Sequence, residues 1–375
     1  MRARALQNPV PRDDDELEAA DEALSLDATT LRELLYRLRA SSSLSALRRA
    51  VANLKRDLDD ARHALRTAAS GDQVVEYTRH ILFDDLDQIA ESQTIERARY
   101  YLDRLVKGIA EARVSAINDI NLRRWKEYPD IYTDSLWLID RRDSSGVHGA
   151  GYWGNFVPQI PNQMLRRYTK KGDWVLDPFA GSGTTLIEGQ RLGRNSIGIE
   201  LQAEMVDHAR RLIAAEPNGH GVTSEMINAD SAAVDYNAIL RSYGRNSVQL
   251  VILHPPYFDI IKFSDDPRDL SNVPTIEAFL DMIGRVVANA ASVLDRGRHL
   301  VLVVGDKYAK GDWIPLGFQT MNEVMRRGFS LKSIVIKNFE TTTGKRAQKE
   351  LWRYRALVGG FYVFKHEYIF LFKKQ

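Results

Sequence analysis

The residues Asp177-Pro178-Phe179-Ala180-Gly181-Ser182-Gly183-Thr184-Thr185 follow the apolar pair Val175 and Leu176 and run into a helical pattern, so a glycine turn is expected where a strand's carboxyl end feeds a helix. Glycines in such a turn let the backbone approach a ligand closely, and the first turn of the helix offers free N–H groups. Three ligands exploit that geometry: a nucleotide phosphate, a dinucleotide and an adenosyl cofactor. A phosphate loop needs a lysine after its last glycine, and here Gly183 is followed by Thr184 and Thr185. A dinucleotide fingerprint needs a third glycine, and Leu186 stands in its place. A carboxylate at the end of the next strand would hold ribose hydroxyls of either remaining ligand, and Glu200 supplies one 23 residues after Asp177 without choosing between them.

The choice is made further along, where His254-Pro255-Pro256-Tyr257 ends the apolar run Leu250–Leu253. Two prolines at a strand's carboxyl end stop the ladder and fix the backbone, leaving carbonyls and flanking side chains to face the crevice above the sheet. The glycine turn followed by a Pro-Pro-Tyr tetrapeptide resembles the S-adenosylmethionine-dependent amino-methyltransferases of DNA, the adenine-N6 and cytosine-N4 enzymes. The resemblance covers about residues 151–375. In it "GYWGNFVPQIP", with Phe156 and Pro158, is similar to the upstream cofactor segment; Asp177, Pro178, Phe179, Gly181, Gly183 and Thr184 form the cofactor loop; Glu200 is the ribose acid and Asp230 the acid near the cofactor's adenine. The cofactor loop precedes the tetrapeptide, and His254 departs from the Asp, Asn or Ser usual at its first position.

An exocyclic amino nitrogen is a poor nucleophile because its lone pair is delocalised into the ring. Accepting its two hydrogens frees that lone pair for in-line attack on a sulfonium methyl, so positioning and electrostatics carry the rate. The resemblance assigns this task to the His254 side chain and the Pro255 carbonyl, with Pro256 fixing the turn and Tyr257 stacking on a base swung out of the duplex. Only a neutral imidazole can accept. A cysteine nucleophile, needed for methylation at a pyrimidine C5, is excluded because the chain has no cysteine. The eight histidines lack ligand spacing, and no metal is expected. Two other readings stay open: an RNA (tRNA) base amino-methyltransferase, and a degenerate methyltransferase fold that binds DNA without turnover.

Positioning these groups requires a sheet with its strand ends in one crevice. Seven short apolar runs from "DWVLDPF" to "EYIFLFKK", with helical patterns between the early ones, predict an α/β, Rossmann-like, seven-stranded doubly wound sheet. The last two runs have no convincing helix between them and are expected to form an antiparallel hairpin. Their connection, about 339–364, interleaves Lys345, Arg346, Lys349, Arg353 and Arg355 with aromatics, a pattern suited to contacts with double-stranded DNA. Residues 331–375 carry 10 Lys and Arg against 3 Asp and Glu, whereas residues 1–130 carry 21 against 24.

Ahead of the expected methyltransferase domain (151–375), residues 129–150 read as a linker and residues 1–128 as a helical, coiled-coil-like domain. Helices are expected over about 74–89 and 93–120. Thr30 and Glu33 have capping-box spacing, and Ser41–Ser43 break one helix and cap the next. Leu44, Leu47, Val51, Leu54, Leu58, Ala61 and Leu65 alternate at three and four, the seam of a coiled coil that a second copy of the chain could cover. At 44% hydrophobic and 27% charged residues, with no membrane-length apolar run and no signal-peptide core, the 375-residue chain reads as a cytoplasmic globular protein.

Overall fold

A computed structural model describes residues 22–60, 63, 65–66, 74–149, 154–309, 311–339 and 349–375. The chain divides into two compact units, Met1–Ser115 with Ile120–Asp130, and Ala116–Asp119 with Ile131–Gln375.

The first unit is not purely helical. Strand β1 (Ala23–Asp27) leads into α1 (Ala28–Arg39) and α2 (Leu44–Asp59), and β2 (Val74–Thr78) leads into α3 (Arg79–Ala90) and α4 (Ile95–Ala110). The two strands pair antiparallel, from Ala23 opposite Thr78 to Asp27 opposite Val74. The second βαα set repeats the first: strands of 5 residues, first helices of 12 and second helices of 16, each starting 51 residues after its counterpart. Packing is reciprocal too. Arg48 of α2 donates to the Ala90 and Ser92 carbonyls that close α3, and Arg99 of α4, 51 residues on, donates to the Arg39 and Ser41 carbonyls that close α1. Both long helices are capped alike, by Ser43 accepting from Ala46 N and Thr94 from Arg97 N.

The repeat explains the heptad seam. Leu47, Val51, Leu54 and Leu58 are buried in one core with Leu82, Leu86, Leu102 and Leu105 of the other half, so the chain covers its own seam and a second copy has no free stripe to take. Leu65 joins this core from outside α2, which ends at Asp59, and Ala61 lies outside the described residues. The first helix is capped by Asp27, whose carboxylate accepts from Thr30 N at 2.7 Å, rather than by Thr30; the extended backbone of Asp27 leaves its side chain free to fold back on the helix start.

The second unit is built on an eight-stranded sheet: β3 (Leu136–Trp137), β4 (Trp174–Asp177), β5 (Asn195–Glu200), β6 (Ser224–Asn228), β7 (Val248–Leu253), β8 (Leu294–Val304), β11 (Phe329–Asn338) and β12 (His366–Lys374), in the order β3-β11-β12-β8-β7-β4-β5-β6. A small hairpin, β9 (Lys307–Ala309) with β10 (Asp312–Ile314), stands apart. The seven expected strands are all present, and the eighth comes from the stretch read as a linker: Leu136 and Trp137 pair with Ile336 and Lys337, and the Trp137 ring is buried.

Strands β6, β5, β4, β7 and β8 run parallel, and β12 is antiparallel to both β8 and β11. Helices α5 (Gln159–Tyr168), α6 (Thr184–Leu192), α7 (Ala203–Ala215), α8 (Tyr236–Ser242), α9 (Ile276–Val293) and α10 (Leu316–Arg326) connect the strands. The loop between the last two strands is not free of helix, since α11 (Lys349–Gly359) forms there. The chain moves outward from β4 through β5 to β6 and then returns to place β7 beside β4. A crevice for a ligand is expected at the carboxyl ends of these two strands, where the winding reverses.

Candidate active site

The sequence at that reversal builds a cradle. Asp177 ends β4 and is buried, its Oδ1 accepting from Phe179 N at 3.0 Å, which bends the chain off the strand. Burial pushes its carboxyl up to about 7. Gly181 and Gly183 both take positive φ, at 50° and 82°, and Gly183 caps α6. Glu200, at the end of β5, reaches under the turn and takes Gly181 N on one oxygen at 3.1 Å and Gln202 N on the other at 2.9 Å. Burial raises this carboxyl as well. A carboxylate oxygen has more than one lone pair, so these two bonds do not exhaust the acceptor capacity of Glu200.

Two features that sequence reasoning missed hold this turn. Asn155 clamps it, donating to Ser182 Oγ and accepting from Thr184 Oγ1, both at 2.7 Å. Gly198, in the middle of β5, lets it lie close: a Cβ there would stand 2.7 Å from Ala180 Cβ and from Met226 Sδ. A glycine inside an apolar strand was the available signal.

Across the crevice, His254, Pro255, Pro256 and Tyr257 follow β7. One cavity of about 850 Å³ is lined by all four together with Phe156, Pro178, Phe179, Gly181, Glu200 and Asp230. Pro158, Asp177, Gly183 and Thr184 do not line it; Pro158 caps α5, and the other three belong to the turn and the elements it joins. That volume fits a nucleoside-sized cofactor together with a second planar group.

The tetrapeptide lies within a polar chain. His254 Nε2 is 3.2 Å from the Tyr257 hydroxyl, which donates to Glu367 Oε2 at 2.9 Å, and Glu367 Oε1 pairs with Lys337 Nζ at 3.1 Å. Lys337 and Glu367 are buried and stand directly opposite each other in the β11–β12 register. Burial pushes the His254 imidazole down to about 4, with Glu367 opposing the shift and Lys337 adding to it. Burial, reinforced by Glu367, raises the Tyr257 hydroxyl well above its usual value. Phe156 packs tilted on the His254 ring, centroids 4.7 Å apart. Phe258, next in the chain, holds a positive φ of 53°, a conformation non-glycine residues rarely take and one that clusters at functional sites. The histidine–tyrosine–carboxylate order recurs with His366, Tyr368 and Asp306, of which His366 and Asp306 line the cavity.

Toward the mouth, Trp352 and Phe361 line the cavity from α11 and the segment after it. Arg353 and Arg355 of that helix are exposed, the Arg355 guanidinium lying 5.3 Å from the Trp352 ring centre. Lys345 and Arg346 lie outside the described residues, as does the Lys349 side chain. Among the described residues no group of His, Asp and Glu could hold a metal ion, and no helix is long and apolar enough to cross a membrane.

A Rossmann-like sheet with an acid-backed glycine turn and a proline-stiffened tetrapeptide meeting at its reversal point defines the class of S-adenosylmethionine-dependent methyltransferases. Known proteins resemble parts of the chain. Residues 84–211 match the family described as DNA methylase, and residues 158–270, which include His254 to Tyr257, match the RMKL-like methyltransferase domain. The chain is 45% identical over 96 residues to the type II methyltransferase M2.DpnII of Streptococcus pneumoniae, covering 24% of this chain and 32% of that one. It is 43% identical over 65 residues to the type II methyltransferase M.MjaII of Methanocaldococcus jannaschii, covering 17% and 12%. Over these stretches the chain is similar to type II DNA methyltransferases, while spanning less than a third of the length of these two relatives. Among solved structures, TrmN from Thermus thermophilus aligns over 59% of this chain and 49% of its own at 16% identity and a TM-score of 0.36.

Proposed function

We propose that the second unit transfers a methyl group from S-adenosylmethionine to the exocyclic amino group of adenine (N6) or cytosine (N4) in a base swung out of double-stranded DNA. The observation that carries this reading is the single cavity shared by the Glu200-backed glycine turn and the His254-to-Tyr257 tetrapeptide. Phe179, Gly181, Glu200 and Asp230 hold the cofactor, which supplies an electrophilic sulfonium methyl. The neutral His254 ring and the Pro255 carbonyl accept the two amino hydrogens, and Tyr257 and the aromatics at the mouth stack on the base. The amino nitrogen forms the new N–C bond as the C–S bond breaks, and one amino proton is lost to solvent. The exposed Arg353 and Arg355, with Lys345, Arg346 and Lys349, contact phosphates.

The test is incubation of the purified chain with methyl-labelled S-adenosylmethionine and mixed-sequence duplex DNA or tRNA, followed by mass spectrometry of the nucleosides. N6-methyladenine or N4-methylcytosine in the DNA is expected. Label confined to tRNA would redirect the reading to RNA, and no label on either, with cofactor bound, would leave a binding protein.

A further inference from the structure

The tetrapeptide ends β7, whereas Glu367 and Lys337 come from two and three strands away, at the amino end of β12 and the carboxyl end of β11. A phenol has one proton to give. The Tyr257 proton goes to Glu367 Oε2 at 2.9 Å, so the 3.2 Å contact between the Tyr257 oxygen and His254 Nε2 is favourable only if Nε2 carries a hydrogen and donates it. A neutral imidazole has a single N–H, and the lone pair then belongs to Nδ1.

The direction of this chain depends on the far end. An ionised carboxylate only accepts. A protonated Glu367 could donate to Tyr257, Tyr257 could then donate to Nε2, and every hydrogen bond would reverse, leaving Nδ1 protonated. Lys337 Nζ, which has donors and no acceptor, sits 3.1 Å from Glu367 Oε1 in an ion pair, so the carboxylate accepts at both ends. Both side chains are shielded from water, so the pair acts at short range with little screening.

We propose that Glu367 and Lys337 are positioning residues that fix His254, through Tyr257, as the neutral tautomer protonated on Nε2, with Nδ1 left bare as a hydrogen acceptor. Resting on the amino-methyltransferase reading, this assigns a role to the unusual histidine: an imidazole replaces a carboxylate or amide oxygen only if its tautomer is set, because the wrong one offers a donor to a target that already has two hydrogens to give. The charged groups of this chain are Glu367 and Lys337, reached through the Tyr257 hydroxyl, while Phe156 packs an uncharged ring on His254.

The test is nitrogen NMR of the imidazoles in the full chain labelled with ¹⁵N-histidine, the His254 signals being identified by their loss in His254→Asn. A protonated Nε2 and an unprotonated Nδ1 are expected at neutral pH. Lys337→Met and Glu367→Met should shift His254 toward the other tautomer and lower the single-turnover methylation rate about 10-fold or more, as misdirected catalytic histidines do, with cofactor affinity by calorimetry unchanged. Glu367→Gln, whose amide oxygen can still accept from Tyr257, should retain part of the rate. A wild-type His254 protonated on Nδ1 overturns the proposal with no variant required, and so does a tautomer unchanged in folded Lys337→Met and Glu367→Met. The NMR reading separates this proposal from the one beneath it: the expected tautomer without methyl transfer sinks the assigned reaction alone, whereas transfer with the other tautomer sinks the positioning role alone.

Discussion

The acid limb of the methylation rate tests whether His254 works as a neutral acceptor. Burial lowers its imidazole from 6.5 to about 4. At pH 6 such a ring is about 99% neutral, whereas one left at 6.5 would be about 24% neutral. Single-turnover rates at saturating cofactor and DNA should therefore be level between pH 8 and pH 6 and fall by half only near pH 4, so the assay reads the upper part of that limb down to the pH at which the fold is lost. A fourfold fall between pH 8 and pH 6 in the wild type would refute the burial argument. His254→Ala removes one oriented hydrogen bond to the reacting nitrogen and is expected to lower the rate about 10²-fold, or about 2.7 kcal/mol, with cofactor affinity unchanged. His254→Asn restores an acceptor oxygen without a titrating group, so it should recover part of the rate and show no acid limb from this position. An alanine variant as fast as wild type would leave His254 no part in the chemistry.

Glu200→Ala strips Gly181 N and Gln202 N of their acceptor and the ribose of its own, so calorimetry should show S-adenosylmethionine binding weakened by about 1–3 kcal/mol; unchanged affinity in a folded variant would remove Glu200 from the site. Gly198→Ala pushes a methyl against Ala180 and Met226 and should both destabilise the unit by about 1–3 kcal/mol and weaken cofactor binding, while equal effects from a control alanine at exposed Gly219, where a Cβ meets nothing, would argue against a specific clash. Asp177 is raised from 3.8 to about 7, so the folded state holds its proton where the unfolded chain has lost it, and this group's contribution to stability declines as pH rises from about 4 to about 7 and is level above; Asp177→Asn should therefore gain on wild type by up to about 4 kcal/mol across that window, and a pH-independent difference in denaturant midpoints would refute it. Leu54→Asp buries a carboxylate in the core between the two βαα halves, so it should lower the unfolding temperature of the first unit without altering sedimentation of the folded protein; a clean change from dimer to folded monomer would show that the seam serves a second copy instead.

What could be read from the sequence was whatever chemistry is local. The glycine turn, the apolar strand before it, Glu200 one strand later and the two prolines after β7 each announce themselves within about ten residues, and the winding follows from their order. The 51-residue repeat escaped because many paired positions keep apolar character without keeping identity: Leu38 answers to Ile89, Leu47 to Ala98 and Val51 to Leu102. A stripe at three-and-four spacing says that something covers it and is silent on whether the cover is another chain or the same one. Helix α11 was hidden by composition, since basic and aromatic residues in alternation describe a loop as well as a short helix. Lys337 and Glu367 looked like ordinary polar ends of apolar strands; 30 residues apart in the chain, they become a pair only through the β11–β12 register.

That register is also why the site needs its antiparallel strand. In a parallel sheet the groups at the carboxyl edge come from strand ends and the loops that leave them, and those loops are already committed here to the cofactor turn, the tetrapeptide and the entry to the β9–β10 hairpin. Strand β12 runs the other way, so its amino end arrives at the same edge: Tyr368 stands opposite Val304, the last residue of β8, and Glu367 therefore faces the cavity from within a strand. A group within a ladder, as Glu367 is opposite Lys337 and next to the Tyr368–Val304 pair, is placed more rigidly than one on a loop. Gly305 completes the arrangement, since a Cβ there would come within 3.1 Å of the Tyr257 ring, and leaving it bare lets the ring lie against the end of β8 with its hydroxyl at Glu367. Reversing one strand thus brings a buried carboxylate to a hydroxyl that the prolines have already fixed, and under the proposed reading the histidine beside them takes its proton arrangement from a residue 113 positions further along the chain.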